Sequence, residues 1–197
     1  NTGLVGQDFT NVSRDPVGQD VRNCLRCSSA QEVGKGGQFR NRTHKVGDIV
    51  FSNPAYVGPP SGSVISPSYA AFAIAQKARP PMIYVGANDG MLHAFDAASG
   101  DEKFAYIPTG VYANLINLAS PFYNGRHLFY VDSSPLTVDV QFADNSWHTL
   151  LLGTEGAGGK SAFALDITDP TSMTSEAAIA PLVLWDFTDT DLGLTYA

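Results

Sequence analysis

Long apolar runs, an excess of positive charge and a second pair of cysteines are all missing from this sequence of 197 residues. No apolar run approaches the roughly 20 residues that a membrane-spanning helix needs, so no transmembrane segment is predicted. The formal net charge is −7 and the isoelectric point is about 4.8. Nucleic-acid and anionic-membrane surfaces need a basic patch, so this balance argues against both, and no nucleic-acid partner is expected.

The charge is unevenly distributed along the chain. Residues 1–45 contain seven basic and four acidic residues, whereas residues 46–197 contain five basic and fifteen acidic ones. Residues 1–45 are also polar and include Gly34, Gly36 and Gly37, which predicts a polar amino-terminal arm or linker. Exposed charge is the rule in proteins, so we favour a solvated arm over one that packs on the acidic body.

Cysteine is scarce, and the two residues present, Cys24 and Cys27, form a C-x-x-C pair. A zinc site made of cysteines alone needs four, and haem attachment needs histidine where Ser28 stands. Three interpretations stay open for the pair: a local disulfide, two free thiols, or metal or redox use.

Glycine and proline are frequent, at 19 and 12 residues, and they separate many short apolar runs, which is typical of an all-β chain. Residues 82–107 show the pattern most clearly, with strands predicted at 82–87, 91–95 and 103–107. Asp89 and Gly90 are predicted to form the first turn, and Asp96 and Gly100 the second. Such a three-stranded meander cannot bury both of its faces alone, so more sheet is expected around it.

Further strands are predicted at 46–52, 54–58, 127–131, 136–142, 147–152, 162–166 and 182–187. Two stretches favour short helices between the strands. Residues 69–77 are alanine-rich and follow Ser66 and Ser68, either of which suits the N-cap position. Residues 111–119 place Leu115 and Leu118 on one helical face.

Two parts of the chain resemble each other. The stretch 84–96 is echoed by 151–166: in each, an apolar strand ends in glycine, and a second strand ends in Asp96 or Asp166. Repeated small antiparallel sheets of this kind are the signature of β-propeller blades. The aspartates Asp89, Asp96 and Asp166 are expected to stabilise tight turns by accepting backbone hydrogen bonds.

The ordered set of motifs resembles one family, the PilC/PilY-type tip-associated adhesin and biogenesis proteins of type IV pili. The most distinctive stretch is Tyr-Val-Gly-Ala-Asn-Asp-Gly-Met-Leu-His-Ala-Phe-Asp at 84–96. The others, which follow the family's order, are 39–42 with 46–54, 129–132, 156–160 with 164–170, and 184–187. The chain departs from the family at Leu25-Arg26-Cys27, where members often have Leu-Arg-Gly.

The resemblance implies the antiparallel blades of a quinoprotein-like β-propeller, here incomplete, with one or two short inserted helices. Residues 46–197 would be its first blades, in a domain that continues beyond this chain. The resemblance further implies a non-catalytic protein of the fimbrium, exported through the periplasm and outer membrane to the cell surface. Its partners would be pilin or minor pilins at the pilus tip and a host or abiotic surface. It would support pilus extension, attachment and twitching motility.

Two other functions remain open at the level of sequence. A quinoprotein-like dehydrogenase relative would need a complete propeller around its cofactor and a base linked to calcium. The chain is alternatively a structural fragment that needs a partner to complete the propeller, because an open stack of blades exposes strand edges.

Calcium is the only cofactor that the residues and the resemblance together suggest, because some family members bind it. Asp186, Asp189 and Asp191 place three carboxylates in a short loop, but no acidic residue closes the loop. The alternative to a calcium site is that these three aspartates lie in a solvated turn.

No catalytic residue is predicted. The glycine run at 153–161 ends in Gly-Lys-Ser, but Thr154 stands where a phosphate-binding loop needs its first glycine. The four histidines, His44, His93, His127 and His148, form no catalytic motif.

Overall fold

The computed structural model describes residues 4–5, 24–25, 29–61, 64–189 and 191–195. The strands are β1 Leu4–Val5, β2 Ala55–Val57, β3 Met82–Ala87, β4 Met91–Asp96, β5 Glu102–Tyr106, β6 Leu136–Gln141, β7 Trp147–Thr154, β8 Ser161–Asp166 and β9 Val183–Thr188. The α-helices are α1 Pro67–Ala75, α2 Leu115–Ala119 and α3 Glu176–Ile179. Short 3-10 helices cover Val33–Lys35, Thr109–Asn114, Tyr123–Gly125, Pro170–Ser172 and Ala180–Leu182.

The first sheet has the strand order β1-β5-β4-β3-β2. Its strands β2 to β5 run antiparallel, while β1 pairs in parallel with β5. The β3–β4 hairpin closes at Gly90, whose φ of +91° lies in the left-handed region that glycine adopts without strain. The predicted three-stranded meander is confirmed, with strand ends within one residue of those expected.

The second sheet has the order β6-β7-β8-β9 and is antiparallel throughout. Burial alternates along β7 from Thr149, and Leu151 on β7 and Phe163 and Leu165 on β8 are buried. The predicted all-β architecture of small antiparallel sheets with short inserted helices is confirmed. Each of the four strands of this sheet overlaps a run that was predicted from a short apolar pattern, with ends within two residues of those predicted.

Both predicted helices are present. α1 begins after Ser66, one of the two serines expected at its N-cap. The stretch predicted as a helix at 111–119 is a 3-10 helix followed by α2, with Leu115 and Leu118 buried as the pattern indicated. α3 was not predicted; it begins at Ser175, whose side chain accepts a hydrogen bond from Ala178 N–H.

Two predicted strands, 46–52 and 127–131, are not strands. Several of their backbone groups are hydrogen-bonded by side chains. Gly47 N–H donates to Asp89 Oδ2 at 2.8 Å, and Phe51 N–H donates to Asp132 Oδ1 at 3.2 Å. Tyr130 N–H donates to Asn88 Oδ1 at 2.9 Å. Buried polar side chains therefore replace a neighbouring strand as partners of these segments.

Most described residues of 1–45 are exposed, as the prediction of a solvated arm requires, but several of them pack on the core, so the segment is not a free arm. Cys24, Leu25 and Phe39 are buried in the core, and β1 extends the first sheet. Arg40 N–H donates to Ala119 O at 2.9 Å, and the Arg40 guanidinium lies 4.2 Å from the ring centre of Tyr123. Burial of these apolar side chains anchors the otherwise polar segment to the core. The boundary between residues 45 and 46 stays a prediction.

The two sheets are joined by buried contacts at the end of β5. The rings of Tyr106 and Phe163 have centroids 5.0 Å apart. The Tyr106 hydroxyl donates to Asp186 Oδ2 at 2.6 Å, and Thr109 donates to the same carboxylate through N–H and Oγ1, each at 2.8 Å. One aspartate on β9 therefore accepts three hydrogen bonds from the first sheet and the segment that follows it.

Candidate functional site

His93 lies buried on β4 between two carboxylates. Its Nε2 is 3.1 Å from both oxygens of Asp89, and its Nδ1 is 2.5 Å from Glu102 Oε1. Burial alone would lower the pKa of His93, but Asp89 and Glu102 outweigh it and raise the pKa to about 10. The side chain is therefore a buried imidazolium that links β4, β5 and the β3–β4 turn.

A second polar network surrounds the Asn88 side chain. Its Nδ2 is 3.0 Å from Asp48 Oδ2 and 3.4 Å from Asp132 Oδ1. His127 Nε2 lies 3.0 Å from Asp48 Oδ2 and 3.1 Å from Oδ1, near the surface. These residues fix segments 46–53 and 127–132 against the first sheet. Asn88 and Asp132 were not among the predicted site residues, because their partners lie 40 or more residues away in the chain.

Ser146, His148 and Asp166 form a chain of hydrogen bonds at the β6–β7 hairpin. His148 Nε2 is 2.8 Å from Ser146 Oγ, and Nδ1 is 2.7 Å from Asp166 Oδ2. These distances suit a nucleophile, a base and an orienting acid. However, the Ser146 hydroxyl also lies 2.5 Å from Asp144 Oδ1, a nearer and charged acceptor. The Ser146 hydroxyl donates to Asp144, so the arrangement links the β6–β7 turn to the end of β8 through His148.

The predicted turn residues lie at turns and make local hydrogen bonds. Asp96 Oδ1 accepts from Ala98 N–H at 2.9 Å and Ser99 N–H at 3.1 Å, and Gly100 has φ of +77°. Asp166 Oδ1 accepts from Thr168 N–H at 3.0 Å. Asp89 differs, because its carboxylate binds Gly47 and His93 in addition to lying at the Gly90 turn.

The three aspartates proposed as calcium ligands have different partners. Asp186 accepts the hydrogen bonds of Tyr106 and Thr109, whereas Asp189 Oδ1 accepts from Asp191 N–H at 2.8 Å. Among the described residues, no group of three histidine, cysteine, aspartate or glutamate side chains is placed to hold a metal ion. Calcium binding by Asp186, Asp189 and Asp191 stays a prediction from sequence, for which these positions supply no ligand set.

The cysteine pair is described only in part. Cys24 is buried, and burial raises the pKa of its thiol. Cys27 lies outside the described residues, so the disulfide interpretation stays a prediction.

A cavity of about 690 Å³ opens between β2 and β6. Arg79 lines it, and its guanidinium donates to Gly58 O and, at 2.6 Å, to Thr149 Oγ1. Asp139 lies on the opposite wall and accepts from Tyr69 and Thr149, each at 2.6 Å. The charged groups of this cavity are thus already hydrogen-bonded within the protein.

The glycine run at 153–161 encloses a buried carboxyl group. Glu155 is completely buried, and its Oε1 accepts a hydrogen bond from Ser161 Oγ. Its Oε2 accepts none from the described residues, and it packs against Gly110 and Gly159. A methyl group on either glycine would overlap this carboxyl. The glycine pattern that partly resembles a phosphate-binding loop therefore makes room for the Glu155 carboxyl.

Glu155→Gln is expected to stabilise the protein at neutral pH. Burial raises the pKa of Glu155, the Ser161 hydroxyl opposes the rise, and the negative charge of Asp186 adds to it. When folding raises the pKa of an acidic group, the protein loses stability as the pH increases from the unfolded pKa of that group toward its folded pKa. The loss is about 1.4 kcal/mol per pH unit. Glutamine has the same shape without the charge, so urea unfolding at pH 5 and pH 7 should show a flatter profile. A variant less stable than the wild type at pH 7 would contradict this account.

Sequence comparison identifies the class of protein to which the two sheets belong. The family described as the PilY1 beta-propeller domain matches residues 46–191. The chain therefore belongs to this β-propeller family, which confirms the resemblance drawn from the motifs.

Similar proteins include two curated relatives. The type IV pilus biogenesis factor PilY1 homolog of Xylella fastidiosa is 42% identical over 178 residues, covering 87% of this chain and 14% of the relative. The type IV pilus biogenesis factor PilY1 of Pseudomonas aeruginosa (strain UCBPP-PA14) is 43% identical over 205 residues. The match covers 95% of this chain and 17% of the relative. The chain thus spans about one sixth or less of these relatives.

One solved structure is also similar to this chain. The crystal structure of the Pseudomonas aeruginosa PilY1 C-terminal domain has 39% sequence identity and a TM-score of 0.49, with coverage of 72% of this chain and 27% of that one. Within the described part of the chain, no helix has the length and apolar character to span a membrane.

Proposed function

We propose that this chain is the propeller portion of a type IV pilus biogenesis factor and that it acts by binding. The observation that carries the proposal is the family match over 146 residues, from 46 to 191. Relatives about 42% identical over most of this chain are named as type IV pilus biogenesis factors. The proposed partners are pilin or minor pilins at the pilus tip, together with a host or abiotic surface. The proposed location is the cell surface and the pilus.

The arrangement of the polar side chains supports binding over catalysis. His93 is enclosed by Asp89 and Glu102, and Ser146 is directed at Asp144. Both groups stabilise the sheets through bonds that a catalytic base or nucleophile would have to break. The proposed contribution of the chain is a rigid scaffold that supports pilus extension, attachment and twitching motility.

The proposal is tested by deleting the gene and counting surface pili by electron microscopy. We expect loss of surface pili, twitching and attachment, and recovery with the full gene but not with one lacking residues 46–191. Normal piliation in the deletion strain would refute the proposal. The dehydrogenase alternative is tested separately: turnover of an alcohol by the purified protein with pyrroloquinoline quinone, calcium and a dye acceptor would show an enzyme.

A further inference from the structure

The two segments wrongly predicted as strands form an exposed apolar surface. The apolar side chains at 49–51 and 128–129 are exposed to solvent, whereas Tyr130 and Val131 of the second segment are buried in the core. Phe51 is 65% exposed, and Phe122, which precedes the second segment, is 81% exposed. We call this region the apolar surface; its members are Ile49, Val50, Phe51, Phe122, Leu128 and Phe129.

Ring contacts make the surface continuous across both segments. The rings of Phe51 and Phe129 have centroids 5.9 Å apart, and Phe129 lies 5.5 Å from His127. His127 in turn lies 6.0 Å from Tyr123, the neighbour of Phe122. Phe51, His127 and Phe129 therefore belong to one patch, and Phe122 adjoins it as the chain neighbour of Tyr123.

Buried polar side chains hold the segments in place. Phe51 N–H donates to Asp132, Asn53 N–H donates to Ser134 Oγ at 2.9 Å, and Asn88 N–H donates to Asp48 O at 3.0 Å. Asn88 and Asp132 are almost fully buried, so their bonds are shielded from water, whereas the bond between Asn53 and Ser134 lies at the surface. The fold thus fixes an irregular backbone that keeps phenylalanine side chains in solvent.

An arrangement of this kind indicates a contact surface. Contiguous exposed apolar patches with polar borders mark protein interaction sites, and aromatic residues are enriched at the centres of interfaces. Places where a local pattern and the fold disagree are expected at functional sites. Here the apolar pattern of 49–51 and 128–129 disagrees with their exposed, irregular conformation, whereas Tyr130 and Val131 are buried.

The border of the apolar surface is basic although the chain as a whole is acidic. Arg40 stacks on Tyr123, Arg126 directly precedes His127, and Lys45 directly precedes the first segment. The acidic residue within the first segment, Asp48, is paired with His127 at 3.0 Å. Residues 46–197 as a whole carry fifteen acids and five bases, Asp48 and Arg126 included. A complementary partner would surround an apolar centre with acidic side chains.

We propose that the apolar surface docks a pilus subunit whose contact region has an apolar centre bordered by acidic residues. This inference rests on the proposed function and adds the surface through which it acts. Phe51 and Phe129 form the centre of the contact, and Arg40 and Arg126 face the acidic border of the partner.

The test compares two variants of the full-length protein for binding to the purified soluble domains of the pilus subunits from the same organism. The double variant Phe51→Ser/Phe129→Ser should bind about tenfold more weakly or worse, because central aromatic residues dominate interface energies. The matched control is Ile74→Ser, which changes an equally exposed apolar residue on α1 and should bind as the wild type does. Arg126→Glu should slow association most at low salt. Thermal midpoints close to the wild type would show that each variant is folded.

Four results would overturn the inference, and each has a different consequence. Wild-type affinity in the double variant, with pili still lost on gene deletion, would place the contact elsewhere and leave the proposed function standing. In the Phe51→Cys variant, the introduced thiol can be tested for reaction with a maleimide in the full-length protein without any pilus subunit. Protection of this thiol would show that another part of the same protein covers the surface. Loss of self-association in the double variant, with subunit binding intact, would identify a second copy as the occupant. Normal piliation after gene deletion would remove the proposed function itself.

Discussion

Gly158→Ala is expected to lower the free energy of unfolding by about 4 kcal/mol or more, the range in which a single substitution is exceptional. Gly158 packs directly on the backbone of Tyr130, and a methyl group there would overlap its carbonyl carbon and oxygen. The extended segment at 130–132 is held on its other side by Gly86, which packs on Val131 O. Neither backbone has room to retreat, so the overlap must be relieved by opening the contact between the two sheets.

Urea unfolding monitored by tryptophan fluorescence measures this effect. Gly125→Ala is the matched control, because no atom lies within 4 Å of a methyl group at that position. The control should change stability by less than about 0.5 kcal/mol, as surface substitutions usually do. An equal, small effect of the two substitutions would mean that the 130–132 segment is not clamped as described.

His93→Gln is expected to produce the largest pH-dependent change. A histidine whose pKa rises on folding stabilises the protein fully below its unfolded pKa, which is about 6.5. That contribution is lost as pH increases through the folded pKa of about 10. Each unit of the shift corresponds to about 1.4 kcal/mol, so a loss of several kcal/mol is expected between pH 6.5 and 10. The variant lacks the cation and should be destabilised most at pH 6.5 and least at pH 10.

The quantity to measure is the difference in unfolding free energy between wild type and variant at each pH, because other groups that titrate in both proteins then cancel. His127→Gln is the control: the same substitution in the exposed pair with Asp48 should cost less than about 1 kcal/mol. A difference for His93→Gln that is constant from pH 6.5 to 10 would show that His93 is not charged in the folded protein.

The local pattern of apolar and turn residues was sufficient to predict most of the strands. Strands such as β3 and β4 pair over a short, glycine-containing turn, so the information that defines them lies within fifteen residues. The segments 46–52 and 127–131 carry the same kind of apolar pattern, yet their partners are Asp89, Asn88 and Asp132. A sequence pattern reports which residues favour an extended backbone, but not whether a strand or a side chain accepts the hydrogen bond.

The candidate sites were less predictable than the strands. Asp96 and Gly100 make a turn within five residues, and the pattern located it. Asp186 was noticed for its acidic neighbours, whereas its bonds run to Tyr106 and Thr109 in the other sheet. The enclosure of Glu155 also depends on Gly110, which lies in a distant part of the chain. Contacts of this kind follow from tertiary packing, which a single sequence does not display.

The hydrogen bonds that join the two sheets also constrain how the chain folds. Tyr106 and Asp186 are 80 residues apart, and Asn53 and Ser134 are 81 apart. Contacts so distant along the chain carry a large loop-closure entropy before they give any stabilisation, and proteins dominated by them fold slowly. During synthesis the β3–β4–β5 meander forms from local contacts, whereas its junction with the second sheet waits until Asp186 has been made. Until Phe163 and then Asp186 have been made, Tyr106 lacks first its ring partner and then the acceptor of its hydroxyl, so this is the stage at which a chaperone would protect the chain from aggregation.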